Sequence, residues 1–311
     1  MTNVITMGQV QELLENSGFS PKLNRNGRSF SITSCTGKEK IKVHYYGNCW
    51  ITLDTYLSIN HHGAASYQPW DLLYMNPKIH SPGRFIQNKY RSFGIRADVV
   101  STGNASELSI ALKAALDSIE HARALCNGTN GSGAKRSRLD PINVENIRAL
   151  CVEADFDFIE SQNGSAIRLK VPGGIYHAYI DAVTSGGYFI KVMLATVDDW
   201  EPISKDALSN MLLSVCNRIK MVRASRFDHD DGSEHIFFEC YLCHNASILE
   251  IDLALSSLSV ACQAVKNEVE AMRSGVIAGE YLAFISWPSV KNKSLEERSK
   301  DHESDINIGV K

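Results

Sequence analysis

NASELSIALKAAL (residues 104–116) and NASILEIDLALSSL (residues 245–258) are almost the same helix opening written twice, 141 positions apart. In the later stretch Ser247 stands where a side-chain oxygen caps a helix, and Glu250 stands three residues on, where its carboxylate can reach back. Asn104 and Glu107 hold the same relation in the earlier stretch. Behind each opening runs an apolar stripe: Leu108, Leu112, Ala115, Ile119 and Ala122, then Ile251, Leu255, Leu258, Cys262, Val265, Val269 and Met272. Such a stripe can serve as a coiled-coil seam, but in a mixed domain it is expected to pack on its own sheet. A corner that keeps the residues satisfying its orphan N–H groups, followed by the same rhythm, marks an internal duplication.

Working outward, the repeat extends to both sides. Setting Asn26-Gly27 against Asn163-Gly164 also sets Val10 against Ile147, Leu13 against Leu150, Phe19 against Phe156, Phe30 against Ile167 and Ile32 against Leu169. LLYMN ending at Asn76 answers LLSVCN ending at Asn217, and Arg84-Phe85 answers Arg226-Phe227. The expected organisation is a first repeat over 1–126, a flexible linker over 127–141, a second repeat over 142–290 and a mobile charged tail over 291–311. At 311 residues the chain has room for two cores, since single domains commonly hold roughly 100–200 residues.

Each copy spells the same order of elements. Thr6 with Gln9 forms a capping box ahead of Val10, Leu13 and Leu14. In the second copy AIRLKV (166–171), YHAYIDAV (176–183) and YFIKVMLATV (188–197) are β-branched and aromatic runs divided by Gly173-Gly174 and Gly186-Gly187, an antiparallel meander. Ser204 is expected to cap a helix carrying Leu208, Met211, Leu212, Val215, Ile219 and Val222, which RIKMVRASRF (218–227) continues. HIFFECYLC (235–243) is a further strand, and EYLAFISWP (280–288) is apolar enough to add another. The class is α+β: two tandem repeats, each an antiparallel sheet packed against helices in the order α-β-β-β-α-β-α.

Composition narrows the function. The balance of 32 basic and 35 acidic residues leaves −3, so neither nucleic acid nor membrane is an expected partner. The N-terminus lacks the basic and apolar regions of a signal peptide, which makes a cytoplasmic location the expectation. The eight cysteines, among them Cys151, Cys216, Cys240 and Cys262, sit in apolar periodic segments and read as reduced core thiols. CYLCH (240–244) has no second Cys/His pair at zinc spacing, and strand alternation points Cys240 and Cys243 to opposite faces, so no metal is expected. The acidic run Asp228 to Gly232 lacks the ligand spacing of a calcium loop and reads as a solvated hairpin turn. No Walker A loop, G-x-S-x-G, H-E-x-x-H or G-x-G-x-x-G stands between strand and helix, and neither catalytic residue nor cofactor is assigned.

The stretch LLSVCNRIKMVRASRFDHDDGSEHIFFECYLCHNASILEIDLALSSLSVACQAVKNEVEAM (212–272) resembles the YbjN-type domain. That bacterial family is similar in fold to type III secretion chaperones. The resemblance rests on the Asn217-Arg218 pair after an apolar helix, the acidic turn at 228–232 and the apolar strand that follows; it covers residues of about 142–273 and reaches the first copy only through the repeat. It implies a non-enzymatic, chaperone-like or regulatory role in binding another protein. Chaperones of this kind work as homodimers, so a tandem copy implies a pseudo-dimer within one chain, or a homo-oligomer.

The first copy departs from the second where Pro77 and Pro82 interrupt PKIHSPGRF (77–85), and where NHHGAASYQPWDLL (60–73) is rich in histidine and aromatic residues. His61, His62, Trp70 and His80 raise the alternative of a ligand sensor or enzyme using the loop around 60–84, or a regulator of a stress or defence pathway; a loop that merely covers the sheet is the plainer reading. Trp70, Arg218 and Arg226 are the expected partner-binding residues, because aromatic and arginine side chains anchor protein interfaces. Arg218, Lys220, Arg223 and Arg226 together suit an acidic partner or phosphates, or form the wet face of a helix. Lys135, Arg136 and Arg138 in the linker are a weak basic run.

Overall fold

The computed structural model describes residues 5–25, 27–33, 40–46, 50–57, 68–79, 82–88, 93–100, 105–126, 144–160, 167–172, 177–183, 187–243 and 246–286. The first copy runs α1 (Met7–Asn16), β1 (Lys22–Leu23), β2 (Ser29–Thr33), β3 (Lys40–Tyr46), β4 (Trp50–Tyr56), α2 (Pro69–Met75), a 3-10 turn at Asn76–Lys78, β5 (Gly83–Gln87), β6 (Phe93–Val100) and α3 (Ala105–Cys126). The second runs α4 (Val144–Glu153), β7 (Phe158–Glu160), β8 (Ile167–Lys170), β9 (His177–Val183), β10 (Gly187–Thr196), α5 (Pro202–Arg218), β11 (Val222–Asp228), β12 (Glu234–Cys243), α6 (Ile248–Val265), α7 (Glu268–Ala271) and α8 (Gly275–Ser286).

Two antiparallel six-stranded sheets result, ordered β1-β2-β3-β4-β6-β5 and β11-β12-β10-β9-β8-β7. Reading β7–β12 as the counterparts of β1–β6 makes the two orders identical, so the duplication is visible in topology. Each copy adds two strands to the expected order: a short one at the sheet's start, and β5 or β11 between helix and final strand.

Alternation determines the layers. Ile41 and Val43 on β3 are buried in the apolar core, while Lys40, Lys42, His44 and Tyr46 point to the opposite, outer face. Leu108, Leu112, Ala115, Ile119 and Ala122 of α3 are all buried, and so are Ile251, Leu255, Leu258, Cys262 and Val265 of α6. Both stripes therefore pack on their own sheets. Helix α6 is apolar and long enough to cross a membrane, yet it is the core helix of the second sheet. The capping boxes at Thr6–Gln9 and Ser247–Glu250 are formed, whereas Asn104 lies outside the described residues.

Four local expectations are corrected. Helix α5 is capped at Glu201 with Pro202 in its first turn, and Ser204 lies buried inside it, donating to the Arg273 carbonyl. The helix ends at Arg218, and RIKMVRASRF does not continue it. Met221 turns the chain at φ 64°, its N–H taken by the Asp98 carboxylate, and Val222 onward pairs with β12. EYLAFISWP begins in helix, not strand: α8 packs along α5. The single terminal helix is interrupted, α6 giving way to α7 and α8.

The copies exchange helices. α5 of the second copy packs on β5 of the first, α2 of the first packs on β11 of the second, and α2 and α5 pack together. One continuous apolar cluster runs from Val10 and Leu14 through Leu72, Leu73, Leu212 and Leu213 to Leu255 and Leu258.

Candidate partner-binding site

The seam is built by two buried arginines on equivalent edge strands. Arg84 of β5 pairs with Asp98 at 2.5 Å and donates to the carbonyls of Cys216 and Ile219, each at 3.3 Å, at the end of α5. Arg223 of β11 pairs with Glu239 at 2.6 Å and donates to the carbonyls of Ile79 at 2.5 Å and Gly83 at 3.4 Å, just past α2. Each copy thus supplies a guanidinium to carbonyls of the other: Arg84 to those at the end of α5, and Arg223 to those that follow the 3-10 turn and open β5. The structural counterpart of Arg84 is therefore Arg223; the apparent match of Arg84-Phe85 with Arg226-Phe227 is out of register.

Asp98 is the hub. Its carboxylate also accepts from the Thr52 hydroxyl at 2.6 Å and the Met221 N–H at 2.9 Å, and Lys220 lies 3.5 Å away. Burial works to raise the Asp98 carboxyl, but Arg84, Lys220 and these hydrogen bonds outweigh it and hold it well below the usual carboxylate range. Beside it Lys220 donates to Thr52 at 2.5 Å and lies 4.2 Å from the Tyr46 ring centroid, while Arg96 joins Asp54 at 3.1 Å and the Asn217 carbonyl. Asn76 crosses the seam to the Ala224 carbonyl at 2.6 Å, and Gln87 to Asn210 at 2.8 Å.

Where this seam reaches the surface, α2 presents Trp70 and Tyr74 one turn apart. Pro69 starts that helix at its first position, where its missing N–H costs nothing. The Arg226 guanidinium lies 5.0 Å from the Trp70 ring centroid and 4.7 Å from that of Tyr74. Lys205 of α5 approaches Trp70 at 5.5 Å, and Lys78 approaches Tyr74 at 3.8 Å. Asp228 accepts from Arg226 at 3.0 Å, and Glu234 pairs with Lys205. Trp70 is half-buried and Tyr74 is 40% exposed. The cluster is an amphipathic surface made by residues of both copies.

Of the expected partner-binding residues, the fold brings Trp70 and Arg226 together and leaves Arg218 apart, exposed in the last turn of α5. Arg226 stands on β11, not on a helix. Arg223, read with its neighbours as one cationic cluster, is buried and structural. Sequence reasoning missed Tyr74, although its i, i+4 spacing from Trp70 is readable, and missed Lys205, which only the exchange of helices brings close. His61, His62, His80, Lys135, Arg136, Arg138 and His244 lie outside the described residues. Cys240 and Cys243 take opposite faces of β12, and among the described residues no cluster of three His, Cys, Asp or Glu is placed to hold a metal. The run at 228–232 is the β11–β12 hairpin turn, with Gly232 at φ 86° and Asp231 accepting from the Ser233 N–H.

No family model and no curated protein matches the chain. Among solved structures, YbjN from E. coli is 14% identical and covers 40% of this chain and 92% of its own, with a TM-score of 0.33. The di-domain ARO/CYC StfQ of the steffimycin biosynthetic pathway is 10% identical over 91% of this chain and 97% of its own, with a TM-score of 0.12. At these scores neither likeness carries an argument about function.

Proposed function

We propose that the chain is a non-enzymatic, chaperone-like adaptor, a pseudo-dimer in one polypeptide that binds a segment of another protein across the seam of its two copies. The observation that supports this reading is the Trp70–Tyr74–Arg226 cluster, in which aromatic rings on a helix of one copy meet a guanidinium on a strand of the other at the surface. Tryptophan, tyrosine and arginine are the residue types that carry most interface energy, and rings held by packing lose little entropy on binding. A covalent tandem also keeps both halves of a composite surface at high effective concentration.

The test begins with a partner captured from the native cell and repurified, whose affinity is then measured against Trp70→Ala and against the paired change Arg218→Ala, Arg226→Ala. Trp70→Ala is expected to weaken binding about tenfold or more, the scale of one interface anchor. In the pair, Arg226 is expected to carry the loss, and Arg218→Ala alone to change little. Unchanged affinity in Trp70→Ala and in the arginine pair, with thermal melts showing intact folding, would remove the seam from the binding site.

A further inference from the structure

The tip of the β11–β12 hairpin sets two imidazoles side by side. Asp228 and Glu234 form the last paired rung, so His229 opens the turn, while His235 lies opposite Phe227. Ala224 and Ile236 belong to the core, so by alternation Phe227, His235 and Phe237 share the outer face of the sheet. The His229 ring joins them: its centroid lies 4.5 Å from that of His235, the planes tilted by 56°, and the His235 ring meets Phe237 edge-on at 6.3 Å. The turn is held by the His229 N–H on the Ser233 carbonyl and the Gly232 N–H on the His229 carbonyl, both at 2.9 Å. The neighbouring carboxylates have partners of their own. Asp228 and Glu234 hold Arg226 and Lys205 beside Trp70, and Asp231 Oδ1 accepts from the N–H and the hydroxyl of Ser233.

We propose that His229 and His235 chelate a divalent copper ion, with water completing its coordination. Neutral imidazole is the commonest protein ligand of transition metals, and among the divalent first-row ions a nitrogen site holds copper most tightly. The spacing supports the choice of ion. Two imidazole nitrogens about 2.0–2.1 Å from one metal set their ring centroids about 4.5 Å apart at the right-angled bite of a tetragonal site, and about 5.2 Å apart at a tetrahedral one. The observed separation matches the tetragonal bite. The χ2 torsion of histidine is broad, so the exposed His229 ring turns a nitrogen toward His235 at little cost. Among the described residues no group of three His, Cys, Asp or Glu converges here, so the protein supplies two donors and the site stays open. This chelate does not use the Trp70 cluster and is independent of the partner-binding reading of the seam.

Titration of copper(II) sulfate into the full, untagged chain tests it. The paramagnetic ion is expected to erase the amide signals around His229 and His235 before any others, and the paramagnetic resonance spectrum at one equivalent is expected to show two equatorial nitrogens. His229→Gln and His235→Gln, both on the outside of the fold, are each expected to leave the melting temperature nearly unchanged and to lower copper affinity about tenfold or more, at least the cost of disturbing a ligand's own support. Broadening centred on other histidines of the chain would overturn the proposal, as would affinity that survives both substitutions. A spectrum with a single nitrogen would do the same, leaving the two rings in contact without a shared ion.

Discussion

Arg84 and Arg223 stand in the same place in the two copies and perform the same service for each other's copy: Arg84 takes the carbonyls of Cys216 and Ile219, and Arg223 takes those of Ile79 and Gly83. Both guanidiniums are buried and both pair with a carboxylate on the neighbouring strand. Removing either takes the guanidinium from a buried carboxylate and a donor from two carbonyls of the other copy. Arg84→Met and Arg223→Met are each expected to cost about 3–5 kcal/mol in urea unfolding at pH 7. Because the apolar cluster runs through both copies, native protein and variants are expected to unfold in one transition, with fluorescence and circular dichroism coinciding.

Acid should loosen the seam with a definite sign. The Asp98 carboxyl is held below its unfolded value of about 3.9, so the unfolded chain binds the proton first. The contribution is present in full above that value and is lost as pH falls through the native pKa. Stability measured between about pH 4 and pH 2 is expected to decline more steeply with acid in the native protein than in Asp98→Asn, which starts lower because Arg84 is left unpaired. Parallel slopes would show that Asp98 does not carry the linkage.

Two glycines separate close packing from chance. A Cβ at Gly83 meets the Ser118 Oγ at 2.7 Å and Cβ at 2.9 Å, atoms held on α3. Gly83→Ala is expected to cost roughly 1–3 kcal/mol, the usual scale of overpacking. At Gly275 the nearest atom is the carboxylate of Glu201 at 2.6 Å, the far end of a side chain that can swing away. Gly275→Ala is expected to change the melting temperature little, or to raise it as the backbone entropy of the unfolded chain falls.

Burial pushes the thiols of Cys216 and Cys262 up to about 12 and that of Cys243 to about 11. Only the thiolate reacts. At pH 8 these cysteines are expected to resist alkylation in the native protein and to label within minutes in denaturant, a difference that mass spectrometry reads residue by residue. Rapid native labelling of Cys216 would contradict its place in the core.

The sequence by itself determined the duplication, the α+β class, the two capping boxes and the apolar stripes of α3 and α6. Each of these is carried by residues close together in the chain, where spacing alone decides which groups meet. It could not determine where α5 ends, because Ile219 and Val222 continue the helical rhythm; the turn at Met221 is decided by a carboxylate, Asp98, from 123 positions earlier. Nor could it assign α8, whose apolar composition suits helix or strand until α5 offers a surface to pack on. Trp70 and Arg226 were both legible as interface residue types, but their meeting was not. They lie in different copies, on a helix and on a strand, and only the exchange of α2 and α5 between the sheets brings a guanidinium over that ring. Contacts across a seam depend on how two folded surfaces fit, and no local periodicity records that fit.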